Sequence, residues 1–530
     1  MLFTSYEFLF FAAACIVLYY VLPKKFQWKF LLLCSYIFYA FSGVDNLFYI
    51  VFTTVSTYFI TRKIKSIGDR QSLYLKEHKG ELDREGKKAY KAVQKKKQWR
   101  LLLLCLFLNI GMLAVVKYTN FAIYNINEVI GWFGSDNTLS FLDIALPMGI
   151  SFYVFQTMGY AIDVYRGKYP AERNFLKLAL FTSFFPQLIQ GPISRFDDLS
   201  LTLYEEHRFS SKTVSLGLQR VLWGYFKKLV IADRMLVAVN ALIGEPEVYT
   251  GAFAFAGMLF YALELYADFT GGIDITIGIA QALGIKVTEN FIRPYFSKNI
   301  KEYWNRWHIT MGSWFTDYIF YPISVCGPML KFSKWTRGHM GEAIGKRIPV
   351  WTSCFVVWFA TGIWHGASWN FIVWGLMNCA VILVSQELEP FYRWFHSKVN
   401  IGGTLGFKIF RIVRTVLLLS ALRMFDCYRD VPLTFHMFGT MFTEWNWGEL
   451  FNGSLMNLGL SLTDYIILIA GAFIIFMVSM LQRRGSVRER IGAKPYPVRF
   501  AVWFGLFVIV ILLGTYGIGY NASQFIYNQF

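Results

Sequence analysis

The chain has 530 residues, 55% hydrophobic and 19% aromatic but only 16% charged, with a formal net charge of +18. A soluble domain carries about a quarter charged residues and no repeated apolar runs of about 20, so a soluble enzyme is excluded. The surplus charge does not mark a nucleic-acid binder either. Residues 62–100 hold 14 Lys/Arg against five acids, +9 of the +18, in one connecting segment.

In chain order the membrane candidates are 2–22, 28–40, 47–60, 101–116, 146–165, 261–283, 351–363, 371–384, 413–425, 465–481 and 501–520. Several fall short of the length of a straight span, which predicts tilted, broken or re-entrant pieces. The expectation is an all-α polytopic membrane protein of about 11 spans, a single membrane domain over 1–530. The first run lacks a basic n-region, carries Glu7 and leads into the next apolar run, unlike a cleavable signal peptide. The seven cysteines lie mostly in apolar segments without paired spacing, supporting neither a disulfide framework nor a metal site.

The basic segment 62–100 reads as a cytoplasmic loop, lying as a basic helix against anionic lipid. The basic connections 331–349, 393–414 and 483–499 read as cytoplasmic by the same rule, and the Lys/Arg-free segment 431–463 as extracytoplasmic. Both termini are then expected outside a bacterial cell membrane, with 121–133 as an interfacial piece.

Two histidines sit in tryptophan-rich stretches: His308 in Trp304-Asn305-Arg306-Trp307-His308, and His365 in Gly362-Ile363-Trp364-His365-Gly366. Ionisable groups at membrane depth are costly and read as functional, and imidazole suits proton transfer near neutral pH. His365 falls at a hairpin turn approached from outside, and His308 follows the basic stretch 285–306 on the cytoplasmic side. The flanking segments look too short to cross, which predicts that both rings lie inside the membrane and near one another.

Thr182–Ile193 is apolar yet holds two prolines, a glycine, Gln187 and Gln190, and reads as re-entrant. Glu264 and Asp268 share a helical face before Gly271-Gly272 breaks the run, with Arg293 or Arg306 as ion-pair partners. Asp317 either orients an imidazole or pairs with an arginine. The other five histidines (78, 207, 339, 396, 436) read as solvated, and no P-loop, zinc-protease or dinucleotide motif is present.

Six pieces, in order, resemble the membrane-bound O-acyltransferase family and its bacterial alginate O-acetyltransferase branch. They are Leu146–Gly167, Phe184–Arg195, Tyr266–Gly271 with Glu289-Asn290-Phe291, Trp304–Pro322, Gly362–Trp374 and the closing Phe525–Phe530. The resemblance implies a helical ring with a central funnel and a tunnel between the two faces. It implies His365 as the central catalytic histidine and His308 as the second. It also implies a cytoplasmic acyl thioester (acetyl-CoA or an acyl carrier protein) as co-substrate, with no bound cofactor and no metal. Acetyl is the branch expectation. The acceptor would be a cell-envelope polysaccharide or an extracytoplasmic, SGNH-hydrolase-like partner. The chain departs from the branch after Pro322, where Ser324-Val325-Cys326-Gly327-Pro328 replaces a Gly-Gly-Asn-Arg type turn.

Thioester-to-hydroxyl transfer needs a base and an oxyanion donor. His365 is expected as base, with His308 positioning the thioester or donating to the oxyanion. Trp304, Arg306, Trp307, Trp364, Gln187, Asp268 and Asp317 are expected to bind substrate, the tryptophans also excluding water. D-alanyl transfer to teichoic acid, as in a related protein of the family, is the nearest alternative. From other classes, a transporter or flippase relaying protons and a scaffold for an extracellular transferase remain, although no internal repeat of the transporter kind is found.

Overall fold

The computed structural model describes residues 3–134, 138–399 and 401–516. The closing Phe525–Phe530 piece and the C-terminal orientation therefore lie outside the described residues. The chain is all α-helical, with no strand among the described residues. It divides into two compact units, one of residues 1–214 with 279–288, the other of 215–278 with 289–530.

Five described helices are long and apolar enough to cross a bilayer: Arg84–Trp132, Ala252–Ala282, Trp369–Glu387, Leu462–Arg484 and Tyr496–Leu513. Other apolar runs also form helices, but these are shorter, as with Tyr6–Val21, or carry charges, as with Leu405–Tyr428. The protein is polytopic in a membrane.

In the first unit, Leu47–Glu77 and Arg84–Trp132 pack together as a hairpin. Residues 62–100 are thus not a separate surface helix but the paired ends of two long helices, joined by a short turn. Asp83 caps the second helix by accepting from Gly86 N. With no proline between residues 84 and 146, that helix also runs through 121–132, the stretch expected as an interfacial piece. Thr54 and Thr61, buried along the hairpin, return their hydroxyls to the carbonyls of Ile50 and Thr57 at 2.7 Å.

The Thr182–Ile193 stretch is re-entrant in character. The helix Phe175–Ser183 stops, a single helical turn covers Phe185–Leu188, and non-helical backbone follows, all of it buried. Such backbone survives in apolar surroundings because protein supplies its partners. The Phe185 amide donates to Ser35 Oγ at 3.1 Å, and the Gln187 amide group to Pro192 O at 3.1 Å and Ser194 Oγ at 2.5 Å. His207, in the same unit, is half-buried rather than solvated. Its backbone N–H donates to Gln27 Oε1, and its ring lies 2.7 Å from Thr202 O.

The second unit begins within a helix over residues 211–244 that has a π-helical stretch at Phe226–Ala232. That stretch carries the buried Lys227 and Lys228. Gly271-Gly272 does not break the facing helix, which continues from Ala252 to Ala282. A Cβ at Gly224 would sit 2.6 Å from Gly271 O, so these glycines let the two backbones touch. The Lys/Arg-free segment 431–463 folds as a helix Val431–Thr443 and two 3₁₀ turns. It caps the start of Ala252–Ala282, where Gly251 N donates to Thr440 Oγ1 (3.0 Å) and Ala252 N to Asn446 Oδ1 (2.8 Å).

Candidate functional site

His365 is the last residue of the helix Glu342–His365, and Trp369–Glu387 returns after a three-residue turn. At 24 and 19 residues these helices are longer than the apolar runs suggested, so shortness does not hold the turn below the surface. The helix can begin early because Lys346 pairs with Glu342 (3.0 Å) and Arg347 with Glu387 (2.8 Å). Packing buries His365 instead: Trp374 and Trp364 lie edge-on at 4.8 and 5.0 Å between ring centres, and Phe371 is stacked at 6.4 Å. The close hairpin depends on glycine, since a Cβ at Gly375 would meet Trp358 O at 2.4 Å and one at Gly362 would meet Phe371 O at 2.5 Å.

His308 stands between two short helices, Ile300–Trp304 and Ile309–Phe315, with left-handed backbone at φ 47°. Such a conformation in a non-glycine residue is held only by its surroundings. Here Asn290 does the holding. Its Oδ1 accepts from the Thr310 backbone N–H (3.1 Å) and hydroxyl (2.9 Å), and lies 3.2 Å from His308 Nδ1. An oxygen already accepting from a backbone amide must also accept from the ring, so Nδ1 carries the proton and the buried Nε2 keeps its lone pair as a base.

Trp364 joins the two imidazoles: its ring centre is 5.9 Å from that of His308 and 5.0 Å from that of His365. Both histidines are buried, as the sequence predicts, with 0% and 5% of their surface exposed. Trp304 extends the aromatic wall against Trp358 (4.8 Å) and Trp374 (5.9 Å), and its buried indole Nε1 finds no acceptor among the described residues. Trp307 packs on Tyr303 at 5.5 Å.

A cavity of about 1480 Å³ reaches this centre. It runs from the exposed Lys301 and Arg414 to the buried Trp307 and His308, with Trp304 and Asp317 in its wall. Asp317 lies exposed on a π-helical stretch, Thr316–Phe320. His396, exposed as expected, also lines the cavity. Trp364 and His365 are not lining residues, so the cavity approaches the pair from the His308 side.

Three expected contributors stand elsewhere. Arg306 pairs with Glu302 at 2.6 Å and is not among the cavity residues. Asp268 pairs with neither Arg293 nor Arg306 but with Lys228 at 2.5 Å, and Lys228 also holds Asp233 at 2.8 Å. A compact ammonium one helix away outcompetes arginines that lie nearer in sequence, because the Gly224–Gly271 contact brings it within reach. Gln187 belongs to the first unit.

One residue escaped the sequence reading. Arg423, buried on the helix Leu405–Tyr428, lies over Trp374 (4.7 Å), Trp307 (5.3 Å) and Trp304 (5.8 Å) and pairs with Asp426 at 3.1 Å. Its signal was present: an arginine set deep in the apolar run 413–425, well past Arg414 at its start.

Fold and site together define a class, a helical membrane protein whose buried imidazoles are served by a co-substrate-sized cavity. Residues 170–422 match the MBOAT, membrane-bound O-acyltransferase, family profile, a stretch that contains both histidines and every cavity residue. A probable alginate O-acetylase AlgI of Pseudomonas syringae pv. tomato is 30% identical over 86% of this chain and 79% of its own length. The peptidoglycan O-acetyltransferase of Helicobacter pylori is 31% identical over 69% of this chain and 66% of its own. The teichoic acid D-alanyltransferase of Bacillus subtilis is 27% identical over 49% and 63%. The chain belongs to the membrane-bound O-acyltransferase family and is an acyltransferase.

Proposed function

We propose that this acyltransferase moves an acetyl group from a cytoplasmic thioester to a hydroxyl of a cell-envelope polysaccharide, directly or through an extracytoplasmic partner protein. One observation carries the reading: the cavity enters past Lys301, Arg411 and Arg414 and reaches His308, while His365 lies outside its lining and is joined to His308 through Trp364. The donor's thioester reaches the centre through this cavity, its phosphates or carrier protein remaining at the basic mouth. That mouth is cytoplasmic by the positive-inside rule, which puts the N-terminus and the 431–463 segment outside the cell membrane.

In this reading His365 takes the proton of the acceptor hydroxyl as its oxygen attacks the thioester carbonyl. Neutral His308, with Nδ1–H committed to Asn290, accepts a hydrogen bond at Nε2 and so positions the donor. The Trp304 indole N–H, buried in the cavity wall, is oriented to donate to the developing oxyanion. Collapse of the tetrahedral intermediate expels the thiolate, and the tryptophan wall keeps water from the thioester. The O-acetyltransferases among the relatives match most of this chain, the D-alanyltransferases 49% and 51% of it, which favours acetyl over D-alanyl.

The test is transfer by the purified protein in proteoliposomes, with labelled acetyl-CoA on one side and polysaccharide with candidate partner on the other. Label should appear on the polymer, and His365→Ala should abolish it. Transfer at the wild-type level by that variant, or transfer with the protein omitted, overturns the reading.

A further inference from the structure

The second unit holds another cavity, of about 590 Å³, in which no part of the proposed acyl transfer takes place. It lies among the helices Ser211–Tyr225, Ala252–Ala282, Leu462–Leu481 and Tyr496–Leu513. The last two lie beyond the family-matched stretch 170–422. Its two ends differ in character. Ile474, Val478, Val502, Leu506 and Ile509 make one end apolar, on helices whose apolar windows are only 22% and 6% buried within the protein and so face lipid.

The other end is charged, with four cations, Arg220, Lys227, Arg293 and Arg488, against two carboxylates, Asp274 and Glu289. Both carboxylates are already engaged: Arg220 takes Glu289 at 2.6 Å and one oxygen of Asp274 at 2.7 Å, and Lys227 takes the other at 2.6 Å. Arg293 makes no ion pair among the described residues, and its charged neighbours, Arg306 and Arg483, are also cations. The buried Trp503 indole Nε1 in the same cleft has no acceptor among the described residues. A surplus of positive charge, an unused indole donor and an apolar trough open to the bilayer ask for one kind of ligand, an anion with acyl chains.

We propose that this cleft is a binding site for an anionic phospholipid. Arg293 and the Trp503 N–H hold the phosphate, and the acyl chains lie along Ile474, Val478 and Leu506. The adjoining basic connection 483–499 puts the headgroup in the leaflet that the positive-inside rule assigns to the cytoplasm.

The experiment is native mass spectrometry of the full-length protein released from nanodiscs of equal phosphatidylcholine and phosphatidylglycerol. Wild type should retain phosphatidylglycerol over phosphatidylcholine by about fivefold or more, and Arg293→Gln should lose about that factor. A Cβ at Gly505, which lines the cleft, would meet nothing within 4 Å, so Gly505→Phe starts a bulky side chain in open space at the cleft. That variant should elute and melt as wild type does, yet retain neither lipid. Excess inorganic phosphate should leave retention unchanged. Equal retention of the two lipids by wild type, an undiminished preference in Arg293→Gln, wild-type retention in Gly505→Phe, or displacement by inorganic phosphate would each overturn the assignment.

Discussion

Asn290 Oδ1 gathers three donors, the Thr310 backbone N–H and hydroxyl and the His308 Nδ1–H, at 3.1, 2.9 and 3.2 Å. This one oxygen fixes both the tautomer of the imidazole and the left-handed backbone that presents it. Asn290→Ala should therefore leave the protein assembled but lower acyl transfer by about 10²-fold, the cost of a catalytic group about 1 Å out of place. Turnover in proteoliposomes beside an unchanged elution profile checks this. A variant with wild-type turnover would mean that the ring is oriented by something else.

The two histidines should differ in how they fail. His365→Ala removes the proposed base and should cut turnover by about 10²–10⁴ while leaving donor binding intact. His308→Ala should weaken donor binding as well, because His308 alone of the pair lines the cavity. Isothermal titration with a non-hydrolysable thioester analogue separates them, and equal donor affinity in both variants would count against the division of labour.

Arg423 and Asp426 form a pair in which both members are buried. Asp426→Ala removes the carboxylate paired with the buried guanidinium, a loss of about 3–5 kcal/mol, and should lower the melting temperature measured in detergent. Arg423→Lys should keep the charge and still impair transfer, since a compact ammonium cannot reach Trp374, Trp307 and Trp304 together as the broad guanidinium does. Full activity in Arg423→Lys would show that charge alone suffices.

At the cavity mouth, Lys301→Glu with Arg414→Glu should raise KM for the thioester about tenfold with little change in kcat, because steering charges act before chemistry. The wild-type KM should rise with salt and that of the double variant should not. Initial rates across a salt series decide it.

Gly375→Leu tests the hairpin that carries His365. The added side chain starts within 2.4 Å of Trp358 O, so the two helices must part, at a cost of about 1–3 kcal/mol or more. Thermal unfolding and turnover should fall together, whereas unchanged stability would mean the helices separate freely.

Composition and apolar runs by themselves determined a helical protein of the bilayer, because backbone groups in hydrocarbon must be satisfied within their own segment. They also singled out His308 and His365, since an ionisable group at that depth is expensive enough to stand out in a linear chain. The rest was decided by pairing between distant segments, which leaves little trace in local sequence. Lys228 rather than an arginine neutralises Asp268 because the Gly224–Gly271 contact brings two helix backbones together. Gly271-Gly272, read linearly as a break, serves in three dimensions as a site of close approach. Trp364 bridges the imidazoles, and Arg423 closes the aromatic wall from a helix more than a hundred residues beyond Trp304. Membrane partition is a property of each segment alone, whereas which charges and rings meet depends on packing that only the folded chain creates.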